Sequence, residues 1–212
     1  MNLLYLEDLV HWLGANSSWI QIISMVCGVT YMVMQIFQFK WMWYFSILAS
    51  TAAIIVASTN HEGADWAPLW AQVALNIYLI VIAVIGIFKW RKLEGKTGGK
   101  LHIVPLSGKR LALVAAIVVV GTPLLALVLK HFTSDPSPWI DGTSLVLSLV
   151  AAWLLSQSHI EQYLFWIAAN ALIIAVYAGQ SKWFMVAMYS FYIVTCIIGF
   201  INWKKHGVIV KE

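Results

Sequence analysis

Apolar residues run through this chain in blocks of about 20, the length a helix needs to cross the hydrocarbon core of a bilayer. Seven blocks can be laid out: Ser18–Phe39, Trp41–Thr59, Trp66–Lys89, Leu111–Leu129, Pro138–Gln157, Ile160–Ala178 and Trp183–Asn202. The polar breaks between them are short, apart from the third, WRKLEGKTGGKLHIVPLSGKR. Residues 3–13, LLYLEDLVHWL, are amphipathic at helical spacing but too short to span, and are predicted to lie on a surface. The pattern predicts an all-α polytopic membrane protein with seven transmembrane helices. Composition agrees, with 61% hydrophobic and 10% charged residues, against about a quarter charged in soluble domains. The N-terminal stretch lacks the basic start of a signal peptide and carries Glu7 and Asp8 instead. Cys27 and Cys196 each lie in an apolar run and read as packing residues rather than a disulfide.

The formal charge of +4 is an orientation signal. If the third break is cytoplasmic, alternation puts every Lys and Arg on that side except Lys130 and Lys182. The outer side then receives Glu7, Asp8, Glu62, Asp65, Asp135 and Asp141. This predicts an N-terminus outside and a C-terminus in the cytoplasm, and it reads the basic excess as orientation rather than as nucleic-acid chemistry.

The chain also repeats itself. NIYLIVIAVIGIFKWRK (76–92) aligns without gaps to YSFYIVTCIIGFINWKK (189–205), so that Gly86 meets Gly199 and Trp90 meets Trp203. Upstream, residues 28–50 lie over 148–170, a match of pattern more than of identity. Three spans reverse the chain's direction, so two such units run parallel only with an extra span between them. The expected layout is a 3+1+3 parallel repeat. It comprises an N-terminal segment (1–17), a first repeat (18–92), a basic loop with the linking helix (93–137), a second repeat (138–205) and a tail (206–212). In carriers of this type the cargo binds near the midplane.

Polar side chains at membrane depth are costly unless they find partners or a function. Residues three and four apart share a helix face. Tyr163, Trp166 and Asn170 therefore form one stripe, Gln72 and Asn76 a second, and Tyr189 and Tyr192 a third. In the repeat overlay Trp43, Ser46 and Ser50 stand where Tyr163, Trp166 and Asn170 stand, and Asn76 where Tyr189 stands. The candidate cargo site is thus Trp166, Asn170, Tyr163, Asn76, Tyr189, Ser46, Gln72 and Trp43. Aromatic faces attract cations and stack flat rings, and amides add oriented hydrogen bonds. No carboxylate or histidine stands at mid-depth, which argues for facilitated diffusion of a flat cationic ring rather than ion coupling. Trp12, Trp19, Trp41, Trp66, Trp90, Trp139, Trp183 and Trp203 sit near span ends and read as interfacial belt residues, with Trp153 deeper. No metal, cofactor or catalytic constellation is expected. The competing reading is a non-transporting structural subunit, whose buried amides only lock neighbouring helices together.

The run PWIDGTSLVLSLVAAWLLSQSHIEQYLFWIAANALIIAVYAGQ (138–180), followed by GFINWKK, resembles the C-terminal half of the Pnu family of B-vitamin transporters. The specific parts are the Asp of WID, the LS-x-VA run and IE-x-x-x-x-W-x-x-x-N. The resemblance implies a SWEET-like fold, a homotrimer and facilitated uptake across a bacterial inner membrane, with a cytosolic vitamin kinase trapping the cargo. The family's cargo residues map onto Trp166, Asn170, position 163 and the amide at 76. Riboside carriers of the PnuC type have Trp where Tyr163 stands and Gln where Asn76 stands. These departures lean the expected cargo towards thiamine, the PnuT type, with nicotinamide riboside as the alternative.

Overall fold

The computed structural model describes residue 12 and residues 17–59, 61–62, 65–66, 70–98, 100–132 and 137–210. Apart from Trp12, the amphipathic segment expected at 3–13 lies outside them. Among the described residues there are seven helices: α1 Ser17–Ile36, α2 Met42–Ser58, α3 Trp70–Thr97, α4 Gly108–Phe132, α5 Pro138–Ser156, α6 Gln162–Gly179 and α7 Trp183–His206. They follow the seven apolar blocks one for one, and six are long and apolar enough to cross a membrane. The exception is α2, whose 17 residues give about 26 Å at 1.5 Å per residue. The chain is a helical membrane protein. Two short ladders join the helices: β1 (His61–Glu62) with β2 (Asp65–Trp66), antiparallel, and β3 (His102–Ile103) with β4 (Val208–Ile209), parallel.

The third break differs from its expected form. Arg91 to Thr97 continue α3 rather than starting a loop. Lys, Arg, Leu and Glu are good helix formers, and the helix stops only before Gly98, whose φ of +62° is the left-handed conformation that favours glycine.

The chain forms two compact units, Met1–Phe88 and Lys89–Glu212. In the first, α1 packs on α2, tied by the Ser24 hydroxyl donating to the Ala49 carbonyl at 3.0 Å. The buried Trp43 ring rests on Gly86, so closely that any Cβ there would overlap the indole. In the second unit α5 packs against both α4 and α6, and α6 against α7. Its core joins Val114, Val146, Val150 and Leu154. The Tyr163 ring rests on Gly199, where a Cβ would come within 2.6 Å of the ring and hydroxyl.

Three turns have the same construction. Helix α1 ends with Gln38 at φ +51°, α5 with Ser158 at +63° and α6 with Ser181 at +57°. In each, the residue after the left-handed one donates its N–H five residues back: Phe39 to Met34, His159 to Leu154 and Lys182 to Tyr177, at 2.9–3.0 Å. The left-handed residue itself donates three back, to Gln35, Leu155 and Ala178. This is the Schellman cap, which satisfies carbonyls a helix end would otherwise orphan. The first two turns match bond for bond at an offset of 120 residues, including Met42 N–H to Phe39 O and Gln162 N–H to His159 O.

Because Gly86 and Gly199 each lie under a ring, Gly86→Ala and Gly199→Ala are expected to destabilise the protein by about 1–3 kcal/mol through overpacking. Thermal melts in detergent check this. Pairing Gly199→Ala with Tyr163→Leu should restore part of the loss.

Candidate functional site

The stripe on α6 is built as its spacing requires. Asn170 is 7% exposed, and its Nδ2 donates to the Trp166 carbonyl one turn back at 2.8 Å. On α3 the arrangement recurs: Asn76 is 8% exposed and donates to the Gln72 carbonyl, also at 2.8 Å. Neither amide bonds a neighbouring helix among the described residues, so neither acts as the interhelical lock that the structural-subunit reading requires. Each keeps its carbonyl oxygen and a second N–H for another partner. The Trp166 indole Nε1 is buried and has no hydrogen-bond partner among the described residues. An unmet donor of this kind costs about 1–3 kcal/mol.

The remaining candidates divide. Gln72 is exposed, Ser46 half-buried and Ser50 buried. Trp43 and Tyr163 are both 2% exposed, each pressed on its glycine. Tyr163 also meets Trp203 edge-on at 5.4 Å. These two rings set helix spacing. Tyr189 stacks on Tyr177 of α6 at 5.6 Å and 22°, with Tyr192 edge-on beside it. Tyr177 lies seven residues after Asn170, two turns along the same face, and continues the stripe.

At the other end of α6 stands a cluster that the sequence pattern did not reveal. Trp90 and Trp203, expected in the interfacial belt, are 3% and 0% exposed and touch each other at 6.1 Å. The Trp90 Nε1 donates to the Leu155 carbonyl at 3.2 Å, and His102 packs edge-on against its ring. Trp153, expected deep, instead lies beside His159 at this end. His159 is fully buried in the α5–α6 turn. Its Nδ1 lies 2.8 Å from the Val104 carbonyl, which can only accept, so Nδ1 carries the proton; Nε2 then accepts from Arg110 Nη1 at 3.4 Å. Val104 N–H bonds the Ser158 carbonyl at 3.1 Å. With the β3–β4 ladder, these contacts bring the loop after α3, the α5–α6 turn and the C-terminal tail to one end of the second unit. Trp12, Trp19, Trp41, Trp139 and Trp183 are all exposed, as belt residues should be; the Trp66 side chain lies outside the description. Cys27 and Cys196 are free thiols. Among the described residues no cluster of three His, Cys, Asp or Glu is placed to hold a metal.

Membrane-length helices that carry amides and aromatic rings on their faces are a feature small-molecule carriers share. A family model for nicotinamide mononucleotide transporters matches residues 18–205, and this chain belongs to that family. It is a multi-pass protein of the inner membrane. It is similar to the nicotinamide riboside transporter PnuC of Neisseria mucosa, 31% identical over 148 residues. That match covers 65% of this chain and only 56% of the relative, little more than half its length. The PnuC of Haemophilus influenzae is 28% identical over 192 residues, 89% of this chain and 80% of its own. The fold is that of a vitamin B3 transporter PnuC crystal structure, with a TM-score of 0.63 at 23% identity, covering 97% of this chain and 92% of that one.

Burial holds the His102 imidazole below the usual histidine value of 6.5, against smaller opposing effects of the Lys100 backbone and the Glu94 charge. The folded state therefore binds the proton less readily than the unfolded chain, and stability falls as pH drops below about 6.5. Melting temperatures measured down this range should decline, and His102→Leu should flatten the decline. An equal slope in both proteins would remove His102 as its cause.

Proposed function

We propose that this protein carries nicotinamide riboside across the inner membrane by facilitated diffusion, with Trp166 and Asn170 as the principal cargo contacts. The observation that carries this reading is the buried, unpartnered Trp166 N–H one turn from an amide that spends only one donor on its own helix. A pyridinium ring suits the indole face, and carboxamide or ribose oxygens suit the two donors. The relatives' names favour the same cargo and correct the lean towards thiamine. That lean rested on Tyr163 and Asn76 standing where riboside carriers have Trp and Gln. Asn76 is drawn onto its own helix, while the longer amide of Gln72 stands exposed one turn earlier. Tyr189 belongs to the same reading as a secondary contact, with Tyr163 as a positioning residue.

The matched turns and the two ring-on-glycine contacts support α1–α3 and α5–α7 as repeats, with α4 as the link between them. The end of the second unit that gathers the loop after α3, the α5–α6 turn and the tail also carries Arg91, Lys92, Lys96, Lys109, Arg110, Lys204 and Lys205. By the positive-inside rule that end is cytoplasmic. The homotrimer and the trapping kinase belong to the same reading.

Titrating intrinsic tryptophan fluorescence with nicotinamide riboside tests the cargo. Saturable quenching is expected, with Asn170→Leu weakening affinity about tenfold or more and Trp166→Phe removing most of the signal. Unchanged affinity in Asn170→Leu would sink the site. For orientation, a C-terminal green fluorescent protein fusion should fluoresce and a C-terminal alkaline phosphatase fusion should be silent. The reverse pattern would invert the topology.

A further inference from the structure

The stripe on α6 does not stop at the cargo contacts. Two turns beyond Asn170, about 10 Å along the axis, Tyr177 stacks face to face with Tyr189 of α7. A cation already lies on this platform: the Lys182 Nζ sits over the Tyr177 ring, 5.6 Å from its centroid. The backbone puts it there. Lys182 closes the Schellman cap of α6 by donating its N–H to the Tyr177 carbonyl at 2.9 Å, so the ammonium folds back over the residue whose carbonyl it caps. Lys182 is exposed, as are Gln180 and Ser181 beside it, while Tyr177 and Tyr189 are half-buried. Asp141 at the start of α5 lies within electrostatic reach of Tyr189 and adds negative potential.

We propose that Tyr177 and Tyr189 form an outer docking station for a cationic aromatic ring, and that Lys182 is the resident cation an arriving ring displaces. The inference rests on the cargo reading above and extends it to a second site. An exposed ammonium over a half-buried phenol is held weakly, by about the strength of one solvated cation–π contact. A flat pyridinium offers the same charge and adds stacking area, so it competes successfully. An uncharged ring gains the stacking but not the cation–π attraction, so it displaces the ammonium less readily. The station thus favours cations before the cargo reaches Trp166 and Asn170, and it does so without a buried carboxylate.

The test is initial-rate uptake of labelled nicotinamide riboside by cells expressing the full chain, with its uncharged dihydropyridine form as a competitor. Lys182→Ala should lower KM about two- to fivefold, the size of an exposed cation–π contact. It should leave the maximal rate unchanged and lower the inhibition constant of the uncharged form by less, since that ring loses the competitor but no like-charge repulsion. Tyr177→Leu should raise KM by a similar factor and abolish the gain from Lys182→Ala in the double variant. Because Lys182 is on the surface, its variant reads out even if Tyr177→Leu folds poorly. An unchanged KM in Lys182→Ala, or equal shifts for the charged and uncharged rings, would overturn the station and leave the cargo reading intact. No uptake of nicotinamide riboside by the wild-type protein would overturn both.

Discussion

Within a bilayer, helices are not pressed together by the exclusion of water, because lipid tails are as apolar as the side chains they would shed. Close packing decides their spacing instead, and here an aromatic ring seated on a glycine sets it. Tyr163 on Gly199 fixes how near α7 comes to α6, and Trp43 on Gly86 does the same for α3 and α2. In the second unit the consequence can be followed along the helices. Helices α6 and α7 run antiparallel, with Tyr163 against Trp203 at one end and Tyr177 against Tyr189 at the other. Asn170 lies midway between the first of each pair and is level with Cys196, midway between the second. A shift of the Tyr163–Gly199 contact would move the amide and the tyrosine platform together.

The end of the second unit around Trp90 meets a different demand. Backbone polar groups near the membrane need partners from the protein itself. The Schellman cap at Ser158 satisfies part of the α5–α6 turn, the Trp90 indole takes the Leu155 carbonyl, and His159 takes that of Val104. Indole and neutral imidazole donate without carrying a charge into a buried cluster, where a charged group would be costly. The side chains that take these carbonyls are therefore aromatic and uncharged.

The helical blocks were legible because each is a matter of transfer energy, which accumulates locally over about 20 residues. What escaped depends on direction or on distant partners. A tryptophan at a span end has the same sequence signature whether it faces headgroups, like Trp183, or a neighbouring helix, like Trp90 and Trp203. The β3–β4 ladder joins residues over a hundred positions apart, with two residues on each side, and leaves no periodic trace. SQSHIE looked like a polar break, yet Ser158 and His159 are fully buried, where the Ser158 carbonyl takes the Val104 N–H and the His159 ring meets Val104 and Arg110. The stripe on α6 was legible from spacing alone. That Asn170 bonds its own helix was not, because an amide can equally reach across to a neighbour.

That last detail bears on how a carrier holds a cation and still releases it. In a low-dielectric interior, a carboxylate opposite a pyridinium would form a pair that is hard to separate again. Rings and half-satisfied amides offer weaker holds that can be made and broken in sequence. On α6 they recur at Trp166, Asn170 and Tyr177, about two to three turns in all. In the proposed reading each hold is comparable to the next, so a cation moving along the helix meets no deep trap. The direction of net movement is then left to its concentration on either side of the membrane. A stripe of aromatic faces without an acid suits facilitated diffusion better than pumping, and the same chemistry that admits the cargo lets it go.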